Sequence, residues 1–159
     1  MANATTRIQA SPNRKTPPNI ALAAVLLSAI LLAGERVDAA TTMFLANLNA
    51  AQQTPPNASV GMGNAFLHYD AVTRMLCYDV VHANLAGAEI LAHIHGPALP
   101  DVGGAPILFP LPVANPKNGC VGPLASDQKR DLYRNLWYVD IHTTASPGGE
   151  LRGQILRVK

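Results

Sequence analysis

The chain predicts an all-β fold, an antiparallel, Greek-key-like β-sandwich or flattened barrel with one short helix. Three observations predict it. Apolar residues recur with period two in short runs, turn residues punctuate those runs, and only one stretch, 126–136, carries a helical pattern. Strict alternation places successive side chains on opposite faces of a strand, so each run presents one face to a core and one away from it.

In order, 42–49 alternates around Phe44, with Ala46 and Leu48 in step. Gln52-Gln53-Thr54-Pro55-Pro56-Asn57 cannot continue a ladder, because tandem prolines lack the donor N–H. The second strand is expected over 63–70, with Ala65, Leu67 and Tyr69 on one face and Phe66 and His68 on the other. A short hairpin connection leads to a third strand over 74–83, in which Leu76, Tyr78 and Val80 alternate with Cys77, Asp79 and Val81. The fourth spans 88–95. From Gly96 to Gly119 glycines and prolines dominate, leaving room for one short run, Ile107-Leu108-Phe109. Ser126 is a suitable N-cap, Asp127 suits the positive end of a helix, and Leu132 and Leu136 fall at i, i+4. Strands over 137–143 and 150–158, separated by the turn Ser146-Pro147-Gly148-Gly149, close the domain.

Ahead of this domain, 1–19 is basic and contains no acidic residue, and Ile20–Ala33 is a run of 14 residues whose only polar member is Ser28. Val37-Asp38-Ala39 offers small or permissive residues at a cleavage site. This order reads as a secretory signal peptide over 1–39, with the mature domain at 40–159 and a secreted or periplasmic destination. An uncleaved anchor is the alternative, although 14 helical residues rise only about 21 Å against a hydrocarbon core of about 30 Å. Of 12 basic and 10 acidic residues the leader holds four and two, so the mature chain keeps eight of each. A net charge of zero gives no argument for nucleic acid, and membrane association is expected only through an uncleaved leader. Cys77 and Cys120, the only cysteines, read as one disulfide in an oxidising compartment. A catalytic or metal-bound thiol is the other reading, and neither cysteine has a C-x-x-C neighbour to support it.

The chemistry-bearing stretch is Leu91-Ala92-His93-Ile94-His95-Gly96-Pro97. On a strand His93 and His95 share a face, with Cα atoms about 6.6 Å apart. In Tyr138-Val139-Asp140-Ile141-His142-Thr143, Tyr138, Asp140 and His142 share a face. If the two strands are neighbours, three imidazoles meet and hold one copper or zinc ion with an open position. Asp140, Glu150 or Arg152 is then expected in the surrounding shell. Glu150 and Arg152 share a face and are expected to ion-pair with each other, or Arg152 with Asp140. His68 and His82 read as ordinary sheet residues. Asn57-Ala58-Ser59 is a glycosylation sequon on an expected loop. No Ser-His-Asp or paired-carboxylate spacing supports a hydrolase, and the balance leans away from an enzyme.

Several segments together resemble the CHRD domain, the module named for its occurrence in chordin. They include Phe44–Ala50 with Gln53 and Pro55-Pro56, Gly61–Ala65, Leu76–Val80, Ala92–Pro97, Leu136–Thr143 and Pro147–Ile155. The likeness runs through the whole mature chain and implies a secreted β-sandwich without an assigned reaction. His93-Ile94-His95 and Gly148-Gly149-Glu150-Leu151-Arg152-Gly153 are also similar to Cu/Zn superoxide dismutases, whose sandwich carries an H-x-H copper strand. The chain lacks the histidines and aspartate of that family's zinc loop, so the likeness supports a metal at His93, His95 and His142 rather than dismutation. Two functions compete with an oxidoreductase: a metal-binding module, and a metal-free domain binding extracellular protein or polysaccharide through the 96–119 loops.

Overall fold

The computed structural model describes residues 41–159; the expected signal peptide and its cleavage at Ala39 lie outside these. Nine strands build one antiparallel sheet: β1 Thr41–Asn49, β2 Met62–Asp70, β3 Leu76–Ala83, β4 Glu89–His95, β5 Ile107–Leu111, β6 Lys117–Val121, β7 Tyr138–Thr143, β8 Leu151–Gln154 and β9 Leu156–Arg157. Their order is β5-β4-β7-β8-β1-β2-β3-β6, with β9 on β1. The sheet curls into a nearly closed barrel. At its seam, Glu89 of β4 accepts a hydrogen bond from Lys117 of β6 and lies 2.8 Å from His82 of β3.

The alternation read from the sequence decides what faces the interior. Phe44, Ala46 and Leu48 of β1, Ala65, Leu67 and Tyr69 of β2, and Leu76, Tyr78 and Val80 of β3 are buried in one core with Ile94, Trp137, Val139 and Ile141. In-register pairing keeps these rows aligned, from Phe44↔Leu67 to Leu67↔Tyr78. The helix α1, Ser126–Tyr133, plugs one end of the barrel. Its Leu132 is fully buried, and Tyr133 packs edge-on against Phe44 and Tyr69.

Several boundaries differ from the sequence reading. Ser126 is the first helical residue rather than the cap. The cap is Ala125, whose N–H is satisfied by Gln128 Oε1 at 2.9 Å. The helix also stops at Tyr133, because Asn135 adopts a left-handed conformation at φ 59°. There the Leu136 N–H turns back to Asp131 O, closing the last turn. The expected strand 150–158 is two strands, interrupted where Ile155 turns into the core and donates its N–H to Trp137 O. β6 lies in the stretch where Pro116 and Gly119 predict loop; the strand begins just after the proline and contains the glycine. It is an edge strand, where Gly119 breaks no interior ladder. The same tolerance explains Pro110 within β5, the other edge.

Cys77 and Cys120 face each other across β3 and β6 and form the disulfide. The bond closes a loop with a sequence separation of 43. Constraining that loop in the unfolded chain is worth about 2–4 kcal/mol. Urea denaturation of Cys77→Ala/Cys120→Ala is expected to show a loss in that range, and reduction of the parent protein is expected to reproduce it.

Candidate metal centre

β4 and β7 are hydrogen-bonded neighbours, with Leu91↔His142, His93↔Asp140 and His95↔Tyr138 in register. The adjacency that the three-histidine reading required is therefore present. His93 stands between the other two rings, with centroids 5.4 Å from His95 and 5.3 Å from His142. One nitrogen from each ring lies within 4.8 Å of the others. These side chains project from the face opposite the core, since Ala92, Ile94, Val139 and Ile141 on the same strands face inward.

An outward face would ordinarily be solvated, yet His93 and His95 are each only 8% exposed. Two connections cover them. The β4–β5 connection is held down by His95 and Arg152, and the segment after β1 is held by Gln53 and Thr54. His95 Nδ1 donates to Ala105 O at 2.9 Å, and His142 Nδ1 donates to Pro147 O at 2.9 Å. A carbonyl oxygen only accepts, so both rings carry their proton on Nδ1 and leave an Nε2 lone pair free. Those two Nε2 atoms and His93 Nδ1 are buried and have no hydrogen-bond partner. Leaving a buried polar atom unpaired costs about 1–3 kcal/mol. Three clustered rings, each with one buried and unpaired nitrogen, form a donor set that suits a metal ion. Burial, with the neighbouring imidazoles of His142 and His95, lowers the His93 pKa below its ordinary value. It is thus held in the neutral form that a metal requires.

The surrounding residues divide into two groups. Asp140 lies beside the cluster, with Oδ2 3.6 Å from His142 Nε2 and Oδ1 accepting from Gln53 Nε2 at 2.7 Å. Tyr138 stacks on His95 at 4.9 Å and 5°, and the Arg152 guanidinium lies 3.8 Å from the centre of the Tyr138 ring. Because β7 runs between β4 and β8, the tyrosine is flanked by the imidazole on one side and the guanidinium on the other.

Arg152 does not form the expected ion pair with Glu150 or Asp140. Its fork instead donates to Leu99 O, Val102 O, Thr54 Oγ1 and Gln154 Oε1. Backbone carbonyls of the covering loop thus take the place of a carboxylate. Glu150 is fully buried away from it. Burial pushes its carboxyl upward, but hydrogen bonds from Ser59, Thr143 and the Ala86 N–H outweigh this and hold its pKa below the ordinary value. It hydrogen-bonds none of the three histidines.

His68 is exposed and His82 belongs to the Glu89 seam, so neither joins the cluster. The sequon asparagine is engaged inward, its amide donating to Gly149 O and Glu150 O at 3.3 and 3.0 Å. Gln53, Tyr138 and Gln154 are functional neighbours that the sequence reading did not single out. Tyr138 alone carried a signal, since its alternation puts it on the face of Asp140 and His142. Gln53 and Gln154 gain their roles only when the loops fold back.

No solved structure matches this chain. The CHRD domain family matches residues 44–155, from the Phe44 core strand through all three histidines to Ile155. The chain belongs to the CHRD domain family.

Proposed function

We propose that this CHRD domain is an extracytoplasmic metal-binding module that holds one copper or zinc ion on His93, His95 and His142. The observation that carries this reading is the clustering of three imidazoles, each with one buried, unpartnered nitrogen, two of them on rings oriented by backbone carbonyls. An all-imidazole donor set suits either metal, and copper(II) binds such ligands more tightly than zinc. Three protein ligands leave a position open, which a bound ion could use for transfer to a partner or for redox chemistry. The protein's own contribution is to hold His93 neutral and to orient the three rings beneath the two covering loops.

Calorimetric titration of metal-stripped protein with copper and zinc tests this reading. One equivalent is expected to bind tightly to the parent. In His93→Ala/His142→Ala the affinity is expected to fall by at least about a hundredfold, since loss even of outer-shell partners costs about 10–100-fold. Failure of the clean apoprotein to bind either metal, or equal binding by the double variant, would sink the proposal.

A further inference from the structure

The mature domain has a net charge of zero, but its charges are not evenly placed. Of its eight cationic side chains, Lys117 and Arg152 are buried in internal networks. The other six, Arg74, Lys129, Arg130, Arg134, Arg157 and Lys159, all lie at the end of the barrel plugged by α1. The register requires this. Thr41 pairs with Asp70, so the start of β1 and the β2–β3 hairpin share that end. Leu124, just before α1, donates its N–H to Arg74 O, and Arg157 of β9 pairs with Phe44. Tyr133 gathers the cluster, with Lys129 Nζ 5.4 Å and the Arg157 guanidinium 4.9 Å from its centroid. Only Asp70, Asp127 and Asp131 oppose the six at this end. Asp131 is paired with Arg130, and Asp70 accepts from the hairpin N–H groups of Val72 and Thr73. The rest of the domain carries five carboxylates against two cations, so the barrel is polarised along its axis.

The same end exposes apolar side chains among the cations. Val72 is 80% exposed at the hairpin tip next to Arg74, and Val158 stands exposed between Arg157 and Lys159. Val158 is anchored by its N–H to Met43 O, and Met43 is itself half exposed. Apolar tips set among lysines and arginines fit the boundary between anionic headgroups and acyl chains. Tyr133, the aromatic ring at the centre, has Lys129 and Arg157 over it and is not open for base stacking, which disfavours nucleic acid. The chain upstream points to the same surface. Thr42 Oγ1 lies 2.8 Å from the Tyr133 hydroxyl, so β1 begins at the basic end. Only seven residues, 34–40, separate Thr41 from the apolar run Ile20–Ala33. Fully extended, they reach about 25 Å at most. If that run enters a bilayer, the start of β1 lies within that reach of the headgroups.

We infer that the α1 end of the barrel docks on an anionic lipid surface, with the six cations meeting headgroups and Val72 and Val158 entering the interface. The inference is independent of the metal centre, which lies on the outer face of β4 and β7.

Vesicle co-sedimentation of the full chain tests it. The probes are vesicles of phosphatidylcholine alone and of equal parts phosphatidylcholine and phosphatidylglycerol. Each cation near an anionic surface is worth about fivefold in partitioning. Arg74→Glu/Arg134→Glu/Lys159→Glu, at exposed positions, is expected to weaken binding to the anionic vesicles by about a hundredfold or more. Val72→Ser, which removes the apolar tip without adding charge, is expected to weaken it without changing the dependence on lipid charge. Raised salt is expected to erode the difference between the two vesicle types. Insertion through the apolar run, with the leader's own basic residues Arg7, Arg14, Lys15 and Arg36, would be indifferent to these substitutions, and that result would overturn the inference. So would weak vesicle binding alongside tight, variant-sensitive binding to soluble heparin or DNA, which would mark a polyanion site instead.

Discussion

Replacing Glu89 by alanine is expected to destabilise the domain by about 3–5 kcal/mol, measured by urea denaturation, because it leaves Lys117 buried without a counter-charge. The Lys117 side chain has no solvent exposure, and among the described residues its ammonium reaches only Glu89 Oε2 at 2.9 Å and Ala114 O at 2.6 Å. The position magnifies the effect. β4 and β6 are not hydrogen-bonded neighbours, and this pair, with His82 at 2.8 Å from the same oxygen, spans the barrel seam. Removing both charges is a different matter. Glu89→Leu/Lys117→Met replaces a desolvated pair by apolar groups of similar size, and such replacements are often neutral or stabilising. The double variant is therefore expected to recover most of the loss. A loss below about 1 kcal/mol in Glu89→Ala would mean that water reaches the ammonium and the seam does not depend on the pair.

That seam also shows what the sequence could and could not convey. Phe44, Leu67, Tyr78 and Ile141 were legible as core because period-two alternation is a local property of a half-buried strand. The same alternation put His93 with His95, and His142 with Asp140 and Tyr138, before any strand had a neighbour. Whether those two faces coincide depends on the order of the strands. β7 lies beside β4 although β5, β6 and α1 intervene in the chain, and nothing local encodes that. Charge was legible only as a sum. Glu89, His82 and Lys117 are dispersed over three strands, and the six cations of the α1 end over a hairpin, a helix and a terminus, so neither grouping has a sequence spacing. The i, i+2 pair Glu150 and Arg152 misled for the opposite reason. Sharing a face allows an ion pair, but the loops folding over that face offered each residue better-placed partners.

Arg152→Leu is expected to show the consequence of that choice, with a stability loss of about 3–5 kcal/mol and weaker metal binding in the same variant. The guanidinium is almost fully buried and forms no ion pair among the described residues, so its charge is balanced by oriented carbonyl and amide oxygens. Leucine would leave Leu99 O, Val102 O and Gln154 Oε1 without that donor, and each would need water or a new partner. The covering loop would lose its clamp at two carbonyls, while Gln154 Nε2 still holds Ala98 O at 3.0 Å. Tyr138 would lose the cation on one side and with it part of the support for the His95 ring. Arg152→Lys separates charge from geometry. An ammonium restores the cation but cannot reach the same set of acceptors as a planar fork, so only partial rescue of stability is expected. Calorimetric titration beside denaturation of both variants makes the distinction. Equal stability of the lysine variant and the parent would show that charge alone is required there. Loss of stability with metal affinity unchanged would show that the Arg152–Tyr138–His95 stack supports the fold and not the histidine cluster.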